Sequence, residues 1–311
     1  MCCLFGLIDY RHHLTGRKKS RIISVLASAC EIRGTDATGI AYNVGGTQRI
    51  YKRPVPAHCM HIRIPESAQV MMGHTRMTTQ GSAKRNYNNH PFPGSAGKDV
   101  FALAHNGVLH NDEILRREFR LPRTKIQTDS YIAVQLIEQQ NALNFESLRH
   151  MAENVEGSFT FTVLDRKDRL YIVKGDNPLC LFHFPSLGMY LYASTEEILR
   201  RAMSRMGLGT QAACKIPLEC GDILRIDRDG TLTRSTFDTS RLFARWQAPF
   251  WDMPYRSPWA GTGRSSASGH YLEEIKSVAA AFGYAPEEID RLAEAGFSPE
   301  ELEEFLYCGQ S

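Results

Sequence analysis

Short apolar runs with a period of two recur through the first three quarters of the chain. "CLFGLI", "ATGIAYNV", "QRIYKR", "QVMMGHTR" and "VFALAHNG" come first, and "SFTFTVLD", "RLYIVKG", "LCLFHF", "GMYLYAS" and "DILRID" follow. Several alternate apolar and polar residues, as half-buried antiparallel strands do. Charged, Gly or Pro turns join "GSFTFTVLD" to "RLYIVKG" and "LCLFHF" to "GMYLYA", which predicts two hairpins. Between the strands the period becomes helical. Within 20–33, apolar residues at 22, 23, 26, 29 and 30 form one stripe. The segment 128–140 opens with Thr-Asp, suited to a cap and first turn, and 194–206 sets Ser194 three residues before Glu197, a capping-box spacing. Many antiparallel strands with a few amphipathic helices predict an α+β chain, two sheets packed on each other with helices outside.

The pattern changes near residue 236. All three tryptophans and a run of prolines fall in "TFDTSRLFARWQAPFWDMPYRSPWAGTGRSSASGH", which ends rich in Gly and Ser. Residues 236–270 therefore read as an aromatic arm followed by a flexible linker. From Tyr271 three short helices are predicted, because "YAPEEIDRLAEAGFSPEELEEFLY" twice sets Pro-Glu-Glu at a helix start. The domain reading is 1–235, 236–270 and 271–311. The last piece is small for an independent core, so it is expected to dock on the main domain or a partner.

Composition narrows the class. The 311 residues are 42% hydrophobic and 23% charged, with net charge +3. Basic residues cluster only in "GRKKSR" (16–21), which reads as a solvated stretch before a helix; neither nucleic acid nor an anionic membrane is called for. No apolar run approaches the ~18 residues of a membrane span, and the N-terminus lacks the basic n-region of a signal peptide. Eight cysteines, at 2, 3, 30, 59, 180, 214, 220 and 308, form no C-x-x-C pair or regular framework. The expectation is a cytoplasmic protein with reduced thiols and no metal site.

Four polar segments close apolar runs: "RGTDATG" (33–39), "GHTRMTTQG" (73–81), "HNG" (105–107) and "TDS" (128–130). Taken singly, Arg76 reads as a surface ion-pair residue and Asn106-Gly107 as a turn. Asp129 reads as a helix start, His90 as a hydrogen-bonded structural histidine and Cys2 as a packed thiol.

Together and in order, "MC-x-L-F-G", "RG-x-D-x-x-G", "GHTR-x-x-T-x-G", "N-x-HP", "HNG-x-L-x-N" and "TDS" resemble the class II glutamine amidotransferase domain. That family belongs to the N-terminal-nucleophile hydrolases. It includes the glutaminase domains of glucosamine-6-phosphate synthase and amidophosphoribosyltransferase. The resemblance covers roughly residues 2 to 235 and implies a four-layer αββα sandwich. It also implies that Cys2, exposed by removal of Met1, attacks the side-chain amide of glutamine. The adjacent α-amine, with an ordinary pKa of about 7.7–8.0, would take the thiol proton. Asn106 and Gly107 match the oxyanion hole. Arg76 matches the partner of the α-carboxylate, Asp129 the acceptor for the α-ammonium, and Thr79 and His90 pocket-lining positions. Arg33 and Gly34 match a motif that shapes the site from beneath.

Three positions depart from the family pattern: Cys3 stands where Gly is usual, Met77 where an aromatic is common, and Gln80 where His is common. Family members usually continue into a synthase domain. Residues 236–311 are too few for a sugar isomerase, phosphoribosyltransferase or ATP-pyrophosphatase domain, and the chain has no P-loop or G-x-G-x-x-G. The resemblance therefore implies glutamine as substrate, no cofactor, and a separate ammonia-consuming synthase subunit, with homo-oligomers left open. A hydrolase of γ-glutamyl amides and a non-catalytic glutamine-binding scaffold are the alternatives. Arg76 and Asp129 favour a free amino-acid head, and the nucleophilic cysteine argues against a mere binder.

Overall fold

The structure, a computed structural model, describes residues 2–242, 276 and 285–294. The chain divides into two units, Met1–Ala248 and Pro249–Ser311.

Thirteen strands of the first unit form two sheets. One comprises β1 (Cys3–Asp9), β2 (Ala37–Val44), β3 (Thr47–Arg53), β4 (Val70–Arg76), β9 (Cys180–Phe184), β10 (Met189–Ala193) and β11 (Cys214–Ile216). Its order is β11-β9-β10-β1-β4-β2-β3. The other comprises β5 (Phe92–Ala96), β6 (Asp99–Leu109), β7 (Gly157–Asp165), β8 (Leu170–Lys174), β12 (Asp222–Ile226) and β13 (Leu232–Thr236), in the order β13-β12-β8-β7-β6-β5. Every pairing is antiparallel. The helices are α1 (Gly16–Ala29), α2 (Asp112–Glu118), α3 (Tyr131–Gln139), α4 (Phe145–Asn154) and α5 (Glu196–Arg205).

Strand alternation builds the layers. In β1, Cys3, Phe5 and Leu7 face a core shared with Ile23 and Leu26 of α1 and Leu199 of α5. Leu4 and Ile8, of the opposite parity, enter a core with Ala102 and Ala104 of β6, Leu164 of β7 and Ile172 of β8, between the sheets. The outer parity of β6 and β7, including Phe101, Leu103, Phe159 and Phe161, packs against Ile132 and Leu136 of α3 and Leu148 of α4. Three apolar cores thus separate four layers, and the αββα sandwich expected from the sequence is the fold. Phe237 and Leu242 continue the helix-side core beyond β13.

Some local readings change. The "GRKKSR" run is not a solvated stretch before a helix; it is the opening of α1, capped by Thr15, whose side chain accepts from the Lys18 N–H. Lys19 within it is fully buried, 3.1 Å from Asp9 Oδ2, with Nζ also donating to the Glu66 and Ala68 carbonyls. Ser194 does not cap α5. Thr195 does, accepting from the Ile198 N–H, while the Ser194 hydroxyl accepts from the Leu4 N–H at 2.8 Å. The short elements β5, β11, β13, α2 and α4 were not legible as apolar runs.

In the second unit, α6 (Pro286–Glu294) starts at the proline of the first Pro-Glu-Glu repeat, with Glu287 and Glu288 in its first turn. The Ala285 N–H donates to Glu288, Lys276 pairs with Asp290 at 2.7 Å, and Ile289 is buried. The second repeat, the tryptophans and the Gly/Ser-rich stretch lie outside the described residues.

Candidate active site

Cys2 precedes β1 at the centre of its sheet, and β4 runs antiparallel beside it with Cys3 opposite Thr75. That register sets Cys2 against the end of β4, where Arg76 stands. The half-buried Cys2 thiol donates to the Met77 carbonyl at 3.5 Å. Arg33 Nε donates to the Cys2 carbonyl at 3.1 Å. Gly34 lies so close to the 76–77 backbone that a Cβ there would come within 2.5 Å of the Arg76 carbonyl carbon. The Arg33-Gly34 pair therefore packs against both Cys2 and the Arg76–Met77 backbone. Asp36, from the same motif, accepts from the Thr78 N–H at 2.7 Å and fixes the turn after β4.

Arg76 is not a surface ion-pair residue; it is buried. Its Nη1 donates to Asn89 Oδ1 at 2.7 Å and its Nη2 to the Gln80 and Gly81 carbonyls. These acceptors are neutral, and among the described residues no carboxylate pairs directly with the guanidinium. They set its plane and leave its charge for a ligand. Burial pulls its pKa down, opposed by Cys2, Asp36 and Asp129.

Asp129 is buried just before α3, and it does not cap that helix. Its Oδ2 accepts from the Leu109 N–H at 2.6 Å, Oδ1 from the Ser130 hydroxyl at 3.3 Å, and its own N–H donates to Gln80 Oε1 at 2.7 Å. Gln80, noted in the sequence only as a departure, thus joins the arginine loop to the aspartate through its carbonyl and its side chain.

Asn106 and Gly107 lie inside β6, paired with Thr160 and Phe159, rather than in a turn. Gly107 has φ of 144°, and a Cβ there would fall 1.8 Å from the Ser158 carbonyl oxygen. The Asn106 side chain is buried, and among the described residues neither of its amide atoms has a partner. Two unsatisfied groups in a dry site are costly unless a ligand meets them.

Three buried histidines stand behind. The His74 and His90 ring centroids are 4.2 Å apart, and those of His90 and His105 6.5 Å. His74 Nε2 meets the His105 carbonyl at 3.0 Å and His105 Nδ1 the Ser130 hydroxyl at 2.8 Å. Among the described residues neither His90 nitrogen has a partner, so it is not the hydrogen-bonded histidine of the isolated reading. Burial pushes His74 down to about 3, and His90 and His105 also downward. His105 and Ser130 were not singled out in the sequence, although both lie inside quoted motifs. Lys52, on β3, donates to the Asn89 and Pro91 carbonyls, fixing the loop that presents Asn89 to Arg76; burial lowers it to about 8.

A small open cavity joins these parts, with Cys2, Arg76, Thr79, His90, Gly107 and Asp129 on its wall. Asn106 flanks it without lining it. Burial pushes the Cys2 thiol up, partly offset by a hydrogen bond from the Met77 backbone and by the charge of Arg76. No group of three or more His, Cys, Asp or Glu among the described residues is arranged for a metal. No described helix is long and apolar enough to cross a membrane.

The two facing antiparallel sheets with helices outside are similar to those of N-terminal-nucleophile amidotransferase structures. In this chain, residues 74–201 match the family model described as a glutamine amidotransferase domain. The chain is 33% identical over 192 residues to glutamine–fructose-6-phosphate aminotransferase (isomerizing) of Lactococcus lactis, covering 58% of this chain and 30% of that protein. With the Bacillus thuringiensis protein of the same name, identity is 31% over 157 residues, covering 48% and 26%. The match thus takes in under a third of these relatives' length. The fold is similar to glutamine phosphoribosylpyrophosphate amidotransferase from B. subtilis, at a TM-score of 0.59 and 19% identity, covering 76% of this chain and 49% of that one. An allosteric regulatory enzyme of purine biosynthesis matches at a TM-score of 0.61, with the same identity and coverage.

Proposed function

We propose that the chain hydrolyses L-glutamine to glutamate and ammonia, with Cys2 as nucleophile once Met1 is removed. One observation carries the reading: Cys2, Arg76, Gly107 and Asp129 share the wall of one cavity. The Arg76 fork takes the α-carboxylate and Asp129 the α-ammonium, which directs the side-chain amide toward Cys2. Thr79 and His90 complete the wall.

The Cys2 α-amine accepts the thiol proton, a transfer the raised thiol requires, and sulfur bonds to the amide carbon. The resulting oxyanion is received by the Gly107 N–H and the Asn106 side-chain amide. Collapse breaks the carbon–nitrogen bond, and the ammonium of Cys2 returns its proton to the departing ammonia. Water, deprotonated by the same amine, then opens the glutamyl thioester, releasing glutamate and restoring the thiol. No metal or cofactor is required.

The ammonia goes to an acceptor enzyme on a separate chain, with residues 271–311 as the contacting module, 236–270 as linker and 1–235 as catalytic domain. The greater length of the named relatives supports ammonia use outside the matched region. Seven unpaired thiols among the described residues support a reducing, cytoplasmic setting.

The test is incubation with a glutamine-analogue diazoketone, followed by peptide mass analysis. One adduct on a peptide beginning at Cys2, blocked by excess glutamine, is expected. A processed chain that takes up no adduct would sink the reading.

A further inference from the structure

The Asn106–Gly107 peptide is held from behind by a residue outside every motif read from the sequence. Asn177, buried in the loop after β8, donates from Nδ2 to the Asn106 carbonyl at 3.2 Å and to the Ser158 hydroxyl. A carbonyl oxygen only accepts, so the amide nitrogen of Asn177 must face it.

The backbone geometry gives this contact a direction. Across a trans peptide, the C=O and the following N–H point opposite ways. With the Asn106 carbonyl turned toward Asn177, the Gly107 N–H is turned away from β7. That edge of β6 carries no strand, because pairing with β5 ends at Phe92 opposite Leu103. Residues of the same parity use it for the site: the His105 carbonyl accepts from His74, and the Leu109 N–H donates to Asp129. Between them the Gly107 N–H faces the cavity.

The anchor is itself fixed. The Asn177 carbonyl accepts from the Thr160 hydroxyl at 2.6 Å, and its N–H donates to the Phe159 carbonyl and to its neighbour Asp176 Oδ1. Phe159, opposite Gly107, gives its own N–H to Asp176 Oδ1 at 2.8 Å, away from β6. A Cβ at position 107 would lie 2.8 Å from Asn177 Nδ2, so the peptide packs directly on the anchor.

We propose that Asn177 is a positioning residue for the oxyanion site: its amide holds the Asn106–Gly107 peptide with the Gly107 N–H aimed at the developing oxyanion. The hydrogen bond also polarises that peptide and strengthens its N–H as a donor. This rests on the glutaminase reading above. It predicts an effect confined to the tetrahedral stage, since glutamine's head is held by Arg76 and Asp129 on other elements.

The experiment compares wild type with Asn177→Asp, which removes the donor at constant shape, and Asn177→Ser, which shortens it without burying a charge. Three quantities are read on each: kcat and KM for glutamine, inhibition by the γ-aldehyde of glutamate, and inhibition by glutamate. The aldehyde adds to the cysteine and carries the oxyanion; glutamate occupies the head site alone. The expected result for both variants is a fall in kcat of about 10–100-fold with KM within about twofold. Aldehyde affinity should weaken by the same factor while glutamate inhibition stays unchanged. Unchanged kcat in Asn177→Ser would overturn the proposal, as would an equal weakening of aldehyde and glutamate, which marks a merely structural role. A wild type that neither turns over glutamine nor binds the aldehyde would sink the glutaminase reading itself, and this proposal with it.

Discussion

Among the described residues Arg76 meets only neutral acceptors, from Asn89, Gln80 and Gly81, so its orientation and its charge are separable. Arg76→Lys keeps the charge and loses the fork. A lysine cannot reach three divergent acceptors and also grip a carboxylate in two places. The expected result is a rise of about 10–100-fold in KM for glutamine with a smaller change in kcat, checked by steady-state kinetics. An unchanged KM would remove Arg76 from the head-group site. Gly107 is constrained differently: its φ of 144° disfavours any side chain, and a Cβ would overlap the Ser158 carbonyl. Gly107→Ala should cost at least ~1–3 kcal/mol in stability and lose most turnover, read by urea unfolding alongside the assay. Wild-type stability with wild-type turnover would show that the peptide can shift freely.

The buried Lys19–Asp9 pair joins α1 to the end of β1, and Lys19 also holds the Glu66 and Ala68 carbonyls of the loop before β4. Lys19→Ala leaves a buried carboxylate and two carbonyls unmet, so a loss of about 3–5 kcal/mol is expected in chemical denaturation. A loss under ~1 kcal/mol would mean that water replaces the ammonium. Lys19 also shows where sequence reading stops. Four basic residues in six look solvated, and nothing in the run says that the third, Lys19, points inward at Asp9. The strands were legible because their cores impose a period of two on each run. The caps were less so: Ser194 and Thr195 are both good caps, and the choice was made by β1, whose Leu4 N–H takes Ser194. The residues that line the candidate site were legible as ordered motifs, because each proposed role demands a particular group. Gln80, Ser130 and Asn177 were not, since an amide or hydroxyl that orients another residue has no fixed spacing from it.

At the scale of the whole molecule, the three histidines behind the cavity tie stability to acidity. His74, His90 and His105 are buried beside one another, with Arg76 and Lys52 adding positive charge around His74 and His90. Their folded pKa values lie below the ordinary 6.5, His74 at about 3, so the fold holds them neutral while the unfolded chain takes up protons. Where the unfolded state binds more protons, stability rises with pH. The contribution is therefore complete above about pH 6.5 and is lost as pH falls toward 3. The slope is about 1.4 kcal/mol per pH unit for each histidine still neutral in the fold. The raised carboxyls of Asp112, Glu138 and Asp168 act oppositely, but only near and above their ordinary values of 3.8–4.5, at the acid end. Between about pH 6.5 and 5 the histidines dominate. Urea midpoints should fall steadily over that interval, and His90→Gln should flatten the fall by roughly one proton's worth. His90 suits this comparison because neither ring nitrogen has a partner among the described residues, so its replacement breaks no hydrogen bond there. A wild-type midpoint that stays level from pH 7 to 5 would mean that the histidines already share a proton in the fold. A cluster charged in that way would add to the positive field of Arg76, and so strengthen the pull on the carboxylate of the glutamine that the glutaminase reading places there.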